Sequence, residues 1–317
     1  MERDMKRRII QYTTVVLAFL AGMIFMTYMT RMGNRDMTGD MAQAQLPVVH
    51  AEQDGVLYNE MHGYVEDMDG ASMRDSVIGV SEDHKVGLAL EKYNAQIKSV
   101  SYEVRSLDMS RLIEGGDDLQ AEDDGKYLHI SLTLKDLLTQ GEEYLLVLKV
   151  QTEDQDLVRF YSILTYLGTN HVQDCVDFAQ RFHEMTLTGD SDGVLNYLEQ
   201  DGSMDGKNLG YINIHSRSGP VTWGDMQVEQ IGDPSLRFTE LESDITALTM
   251  EYQVTNTETS EQYQVREAYR LRYTSTRIYL LAYERWTDKI LEPGRQLVED
   301  GKLAFGIQSS EPVYMKN

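Results

Sequence analysis

The chain has 317 residues, 41% of them hydrophobic, and carries 52 Asp and Glu against 29 Lys and Arg, a net charge of −23. That hydrophobic share supports a folded core and excludes wholesale disorder, while the acidity argues against nucleic acid and anionic lipid as docking partners. A single cysteine, Cys175, rules out an internal disulfide.

The first element is apolar. From Ile9 to Thr30 there is no charged side chain. A helix from Ile9 to Met29 would be about 31 Å long, close to the roughly 30 Å hydrocarbon core of a bilayer. A cleaved signal peptide has a shorter apolar run that ends at a small-residue site. Here the best such site, Ala42-Gln43-Ala44, lies beyond Arg31, Arg35, Asp36 and Asp40. Residues 9–30 therefore read as an uncleaved transmembrane signal anchor whose partner is the lipid bilayer. Arg3, Lys6, Arg7 and Arg8 precede the span, against Arg31 and Arg35 after it. The bias places residues 1–8 in the cytoplasm and the body outside the membrane. The single cysteine and the lack of an Asn-x-Ser/Thr sequon suggest a bacterial surface protein.

Residues 31–45 are polar and read as a stalk. Residues 46–168 show period-2 alternation: Val86, Leu88 and Leu90; Val100, Tyr102 and Val104; Leu128, Ile130, Leu132 and Leu134. Leu145 to Val150 and Leu157 to Tyr166 add two more strands. Six or seven strands of this kind predict an all-β sandwich of immunoglobulin or fibronectin-III type, without the Cys-Trp-Cys core of antibody domains. The acidic insert from Glu114 to Lys126 reads as an exposed loop.

Helix signals open residues 169–291. Asn170 with Gln173 forms a capping-box pattern, and Val172, Cys175, Val176, Ala179 and Phe182 share one helical face. A second helix fits Ser191 to Glu199. Strands are expected at Leu209 to His215, Val221 to Ile231, Ile245 to Thr255, Gln262 to Thr274 and Arg277 to Trp286. Two helices and a curved antiparallel sheet make an α+β domain, whose element order resembles the nuclear-transport-factor-like cone or the cystatin-like fold. Residues 292–317 read as a C-terminal tail or the start of a further domain.

Motifs for chemistry are scarce. The seven histidines are scattered, and a single Cys argues against a structural zinc site. The stretch Asp201 to Gly206 imitates the opening of a calcium loop, but Ile212 stands where the bidentate Glu belongs. There is no Gly-x-Ser-x-Gly elbow, phosphate loop or dinucleotide fingerprint. No catalytic residue, metal or cofactor is therefore expected. Tyr suits half-exposed faces, so Trp223, Tyr252, Tyr269, Tyr283 and Trp286 are candidate binding residues on a concave sheet face. Ordinary sheet core is the competing reading.

The stretch "TYMTRMGNRDMT" after the span resembles that of uncharacterised single-pass exported membrane proteins of clostridia. The layout is also similar to single-pass negative regulators of Gram-positive wall-sensing histidine kinases. The resemblance implies a location and no activity. The expected function is a membrane-anchored, non-enzymatic extracytoplasmic module that binds a partner protein or cell-envelope component. The alternative is a cell-surface hydrolase using carboxylates in the α+β domain.

Overall fold

Alternation of apolar and polar residues turns one face of a strand to the core and the other to water, and strands on that pattern are among the ten between Val48 and Gly168. The computed structural model describes residues 12, 14, 17, 19–23, 25, 26, 298, 299, 302 and 303, and residues 46–290 apart from 74, 75, 118, 136, 154–156, 170 and 202–208. Strands β1 (Val48–Gln53), β2 (Val56–His62), β4 (Lys85–Glu91), β7 (Gln120–Asp123) and β8 (Tyr127–Thr133) form an antiparallel sheet in the order β2-β1-β4-β8-β7. Strands β3 (Val77–Ser81), β5 (Ile97–Arg105), β6 (Leu112–Gly116), β9 (Glu143–Thr152) and β10 (Leu157–Gly168) form a second, in the order β3-β10-β9-β5-β6. Only β3 and β10 run parallel within it. Val86, Leu88 and Leu90 face Leu132, Ile130 and Leu128 across β4 and β8. Leu88 and Leu132 of the first sheet share one core with Val104, Leu148 and Phe160 of the second, a β-sandwich-like arrangement.

β9 and β10 are apolar almost throughout because both their faces are covered. The segment after β2 lies on the face away from the first sheet. There Met68 N–H donates to the Tyr161 hydroxyl at 3.1 Å, and Gly70 is so close to Leu145 that a Cβ would sit 2.2 Å from it.

The remaining described body is α+β. Helix α1 (Val172–Leu187) is followed by the one-turn helices α2 (Ser191–Leu195) and α3 (Ser218–Val221). Strands β11 (Tyr211–Asn213), β12 (Val228–Leu241), β13 (Ile245–Asn256), β14 (Gln262–Tyr273) and β15 (Ile278–Lys289) pair antiparallel in the order β11-β15-β14-β13-β12. α1 buries Val172, Cys175, Val176, Phe178, Ala179, Phe182 and His183. Burial pushes the Cys175 thiol up to about 11, which keeps it an inert core group. A short antiparallel pair, β16 (Val298–Glu299) with β17 (Lys302–Leu303), lies within the expected tail.

One side chain ties the three large sheets together. Asn59 of β2 is fully buried in the left-handed region, with φ 52°. Its Nδ2 donates to Val77 O of β3, and its Oδ1 accepts from Phe238 N–H of β12, both at 2.7 Å. Tyr58 packs edge-on against Phe238 beside it, with ring centroids 5.2 Å apart.

Several expected elements need correction. The acidic insert is not one loop, since β6 and β7 run through it, and Glu114 is buried there, accepting from Tyr102 OH and Lys135 N–H. The helix expected to reach Glu199 ends at Leu195, which is exposed, and only Val194 of its apolar residues is buried. The strand expected from Val221 begins at Val228, because Trp223 and Gly224 both take positive φ. Asn170 and the stretch from Gly202 to Asn208 lie outside the described residues. The N-cap of α1 is His171, with no side-chain capping bond.

Two units divide the chain, Met1–Gln43 and Ala44–Asn317. The described positions of the first are helical, and its Leu17, Phe19 and Phe25 are exposed. Among the described residues no helix is long and apolar enough to cross a membrane. The other positions of the expected span at 9–30, and the whole of the expected stalk at 31–45, lie outside them.

Candidate functional site

The five aromatic candidates do not form a groove. Trp223, Tyr252, Tyr269 and Tyr283 are each at most 3% exposed. Tyr269 and Tyr283 face each other across β14 and β15, under Phe182 of α1. Trp286 is three residues from Tyr283 and so lies on the opposite sheet face. There it is half-buried, with the Arg266 guanidinium 4.4 Å from its ring and Tyr211 alongside. Four of the five are core and the fifth is separated from them by the sheet.

What gathers among those aromatics is charge. Glu267 is fully buried and its carboxylate is held from three sides. Tyr269 OH donates to Oε2 at 2.6 Å, Tyr283 OH to Oε1 at 2.8 Å, and His183 Nδ1 lies 3.1 Å from Oε2. The other ring nitrogen of His183 lies 2.6 Å from Gln230 Oε1 on β12, so α1 is bolted to two strands through one imidazole. Burial alone would raise the Glu267 carboxyl, but the His183 hydrogen bond and the charges of His183 and Arg285 hold it below its ordinary value. Burial likewise opposes a charged His183, and the hydrogen bond and charge of Glu267 outweigh it, so the imidazole is raised. Both shifts favour the charged forms, an imidazolium facing a carboxylate in the interior. Burial and the charge of Glu267 push the Tyr252, Tyr269 and Tyr283 phenols far above their ordinary value, which keeps them protonated.

Arg285 lies directly across from Glu267 in the register but points elsewhere. Its Nη1 donates to Val221 O at 2.7 Å and its Nη2 to Pro220 O at 2.9 Å, at the C-terminal end of α3. The guanidinium also stacks 3.9 Å from the centroid of Trp223. Carbonyls at a helix end and an aromatic face both favour a cation. They also explain why a bulky residue holds φ 67° here, at a cost of about 1–3 kcal/mol.

Sequence reasoning missed this cluster, though a signal exists. Glu267 is in phase with Tyr263, Val265, Tyr269 and Leu271, and Arg285 with Tyr283, so each is a charge on an apolar face. Chemically the cluster holds charge rather than delivering it. A general base must reach a proton on its substrate, and Glu267 has neither exposure nor an uncommitted oxygen. Among the described residues no group of three or more His, Cys, Asp or Glu is placed to hold a metal ion.

The surface carries two larger recesses. One, of about 620 Å³, lies at the sandwich margin between Ile97, Val100, Leu119 and Leu128, and its Lys92 is already paired with Asp123 at 2.5 Å. The other, of about 670 Å³, runs between Thr276–Leu280 at the start of β15 and the Asn196–Glu199 segment, with Phe178 and Arg181 of α1 also lining it. A further recess of about 360 Å³ shares Phe178, Arg181 and Tyr197 with it.

No family model matches the chain, and no curated protein matches it. Among solved structures, the chain is similar to CopC from Methylosinus trichosporium OB3b, at 14% identity, covering 35% of this chain and 100% of that one, with a TM-score of 0.21. A score that low gives the likeness no weight for function. The protein is thus defined by its own architecture, mostly β, with several antiparallel sheets and few helices.

Proposed function

We propose that the chain is a membrane-anchored extracytoplasmic module that binds a partner protein or cell-envelope component without chemistry of its own. The observation that carries this reading is the uncharged run from Ile9 to Thr30 behind four basic residues. The exposed Leu17, Phe19 and Phe25 on its helical positions support it, since large apolar side chains left in water call for lipid or a partner. On this reading residues 9–30 are the anchor, the sandwich is of immunoglobulin or fibronectin-III type, and the α+β part is cone-like or cystatin-like. The sealing of Glu267, the one carboxylate fully buried in the α+β sheet, supports binding over hydrolysis.

The test is to express the full chain with a C-terminal epitope in a bacterial host, wash the membranes with carbonate and treat intact cells with protease. An epitope that pellets with membranes and is removed from outside is the expected result. Soluble or protease-shielded epitope overturns the reading. Crosslinking of the same cells, against residues 1–45 fused to an unrelated exported domain, then identifies partners specific to the body.

A further inference from the structure

Sheet edges present unpaired N–H and C=O groups, and proteins usually blunt them with charge, Pro or cover. β7 follows that rule with Gln-Ala-Glu-Asp, exposed at every residue. β15 does not. Its outer neighbour β11 has three residues and pairs only with Glu284, Arg285 and Trp286. Among the described residues no strand pairs with Ile278–Tyr283 on the side away from β14. This open stretch reads Ile-Tyr-Leu-Leu-Ala-Tyr, with no charge, Pro or Gly. Its register slips at Leu281, which bends the strand.

The start of this edge forms one wall of the 670 Å³ recess. Apolar side chains border it: Tyr197, Leu198, Ile278 and Tyr279, the last 39% exposed. Two exposed arginines stand in it. Among the described residues Arg181 donates only to its own helix, Nε to Asp177 O at 3.1 Å, and the Arg277 guanidinium lies 3.9 Å from the Tyr279 ring. Neither forms an ion pair among the described residues, although the chain has 52 acidic side chains to offer. Glu199 is the one acidic residue in the lining.

From the open edge, the apolar walls and the two unpaired arginines, we infer that this groove takes an extended segment of a partner protein, which adds a strand to β15. The strand edge requires an extended backbone. Alternate side chains of such a segment turn to the groove walls and to the arginines, so apolar residues alternate with acidic ones. The inference rests on the reading that the body binds a protein partner, and it names the place and the chemistry.

The probe is a fluorescein-labelled peptide, Glu-Val-Glu-Val-Glu-Val-Glu, titrated by anisotropy against the full chain in detergent micelles. Two control peptides carry Lys for Glu, or N-methyl groups on the valines. The expected result is binding of the first peptide, weakened about tenfold or more in either control, as loss of charge-assisted or backbone hydrogen bonds implies. The double variant R181E/R277E, altered only at exposed positions, should lose the Glu peptide and favour the Lys one. Absence of binding, equal binding of the N-methylated peptide, or indifference to the double variant overturns the proposal. So does binding only by a chain ended after Ile290, which would assign the edge to the chain's own tail. Failure of the membrane test leaves these titrations readable, and failure here with a crosslinked partner in hand moves the partner site elsewhere.

Discussion

Glu267 occupies a position where the alternation of β14 calls for an apolar side chain, and the fold supplies three donors to keep it charged. A buried ion pair is seldom a net source of stability, but removing one partner is costly because the other charge remains in the interior. E267Q should therefore lower the unfolding free energy by about 3 kcal/mol, the low end of the usual range because His183 can release its proton. Urea denaturation at neutral pH measures this. A loss under about 1 kcal/mol would show that the two tyrosines and the imidazole are satisfied without the carboxylate. The core position of Tyr269 and Tyr283 was readable from period-2 phase. Their partner was not, because phase says which side a residue faces and not whether a helix will meet it with a histidine.

Elements whose two faces differ were the legible ones. β4, β8, β13 and β14 appear close to where alternation places them, and α1 buries the face that its 3.6-residue period predicts. The short helices were harder, since α2 and α3 are held by packing and caps rather than by an amphipathic stripe. Asp190, whose carboxylate accepts from Gly193 N–H, starts α2, and the left-handed Trp223 ends the turn after α3. Least legible was the joint between sheets. Nothing in the run around Asn59 marks it as the residue that meets both β3 and β12, because its partners are 18 and 179 residues away. N59A leaves a buried carbonyl and a buried N–H without partners, at about 1–3 kcal/mol each. The expected result is a lower melting temperature with Phe238 N–H exchanging far faster than its β12 neighbours on the β13 side. Unchanged protection of Phe238 would mean that the Tyr58–Phe238 contact, not the amide, holds the sheets together.

At the scale of the whole molecule, the buried pair ties stability to pH from both sides. The Glu267 carboxyl is lowered in the folded state, so its contribution is present above the unfolded value and is lost as pH falls through the folded one. The His183 imidazole is raised, so its contribution is complete below the unfolded value near 6.5 and is lost as pH rises through the folded one. Acid unfolding alone would be ambiguous in a chain with 52 carboxylates. The alkaline limb is diagnostic. His129 also has a raised imidazole, from hydrogen bonds to Glu52 and Asp124, but its side chain is 33% exposed and solvent screens its contribution. His50 is lowered by burial, and its contribution is lost as pH falls rather than as it rises. The protein should therefore lose stability as pH is raised from 7 toward 9, while H183Q, starting lower, should be nearly flat over the same range. Melting temperatures of the two proteins across that range decide it. Parallel curves would show that His183 is neutral in the folded state and that Glu267 draws its charge compensation from Arg285.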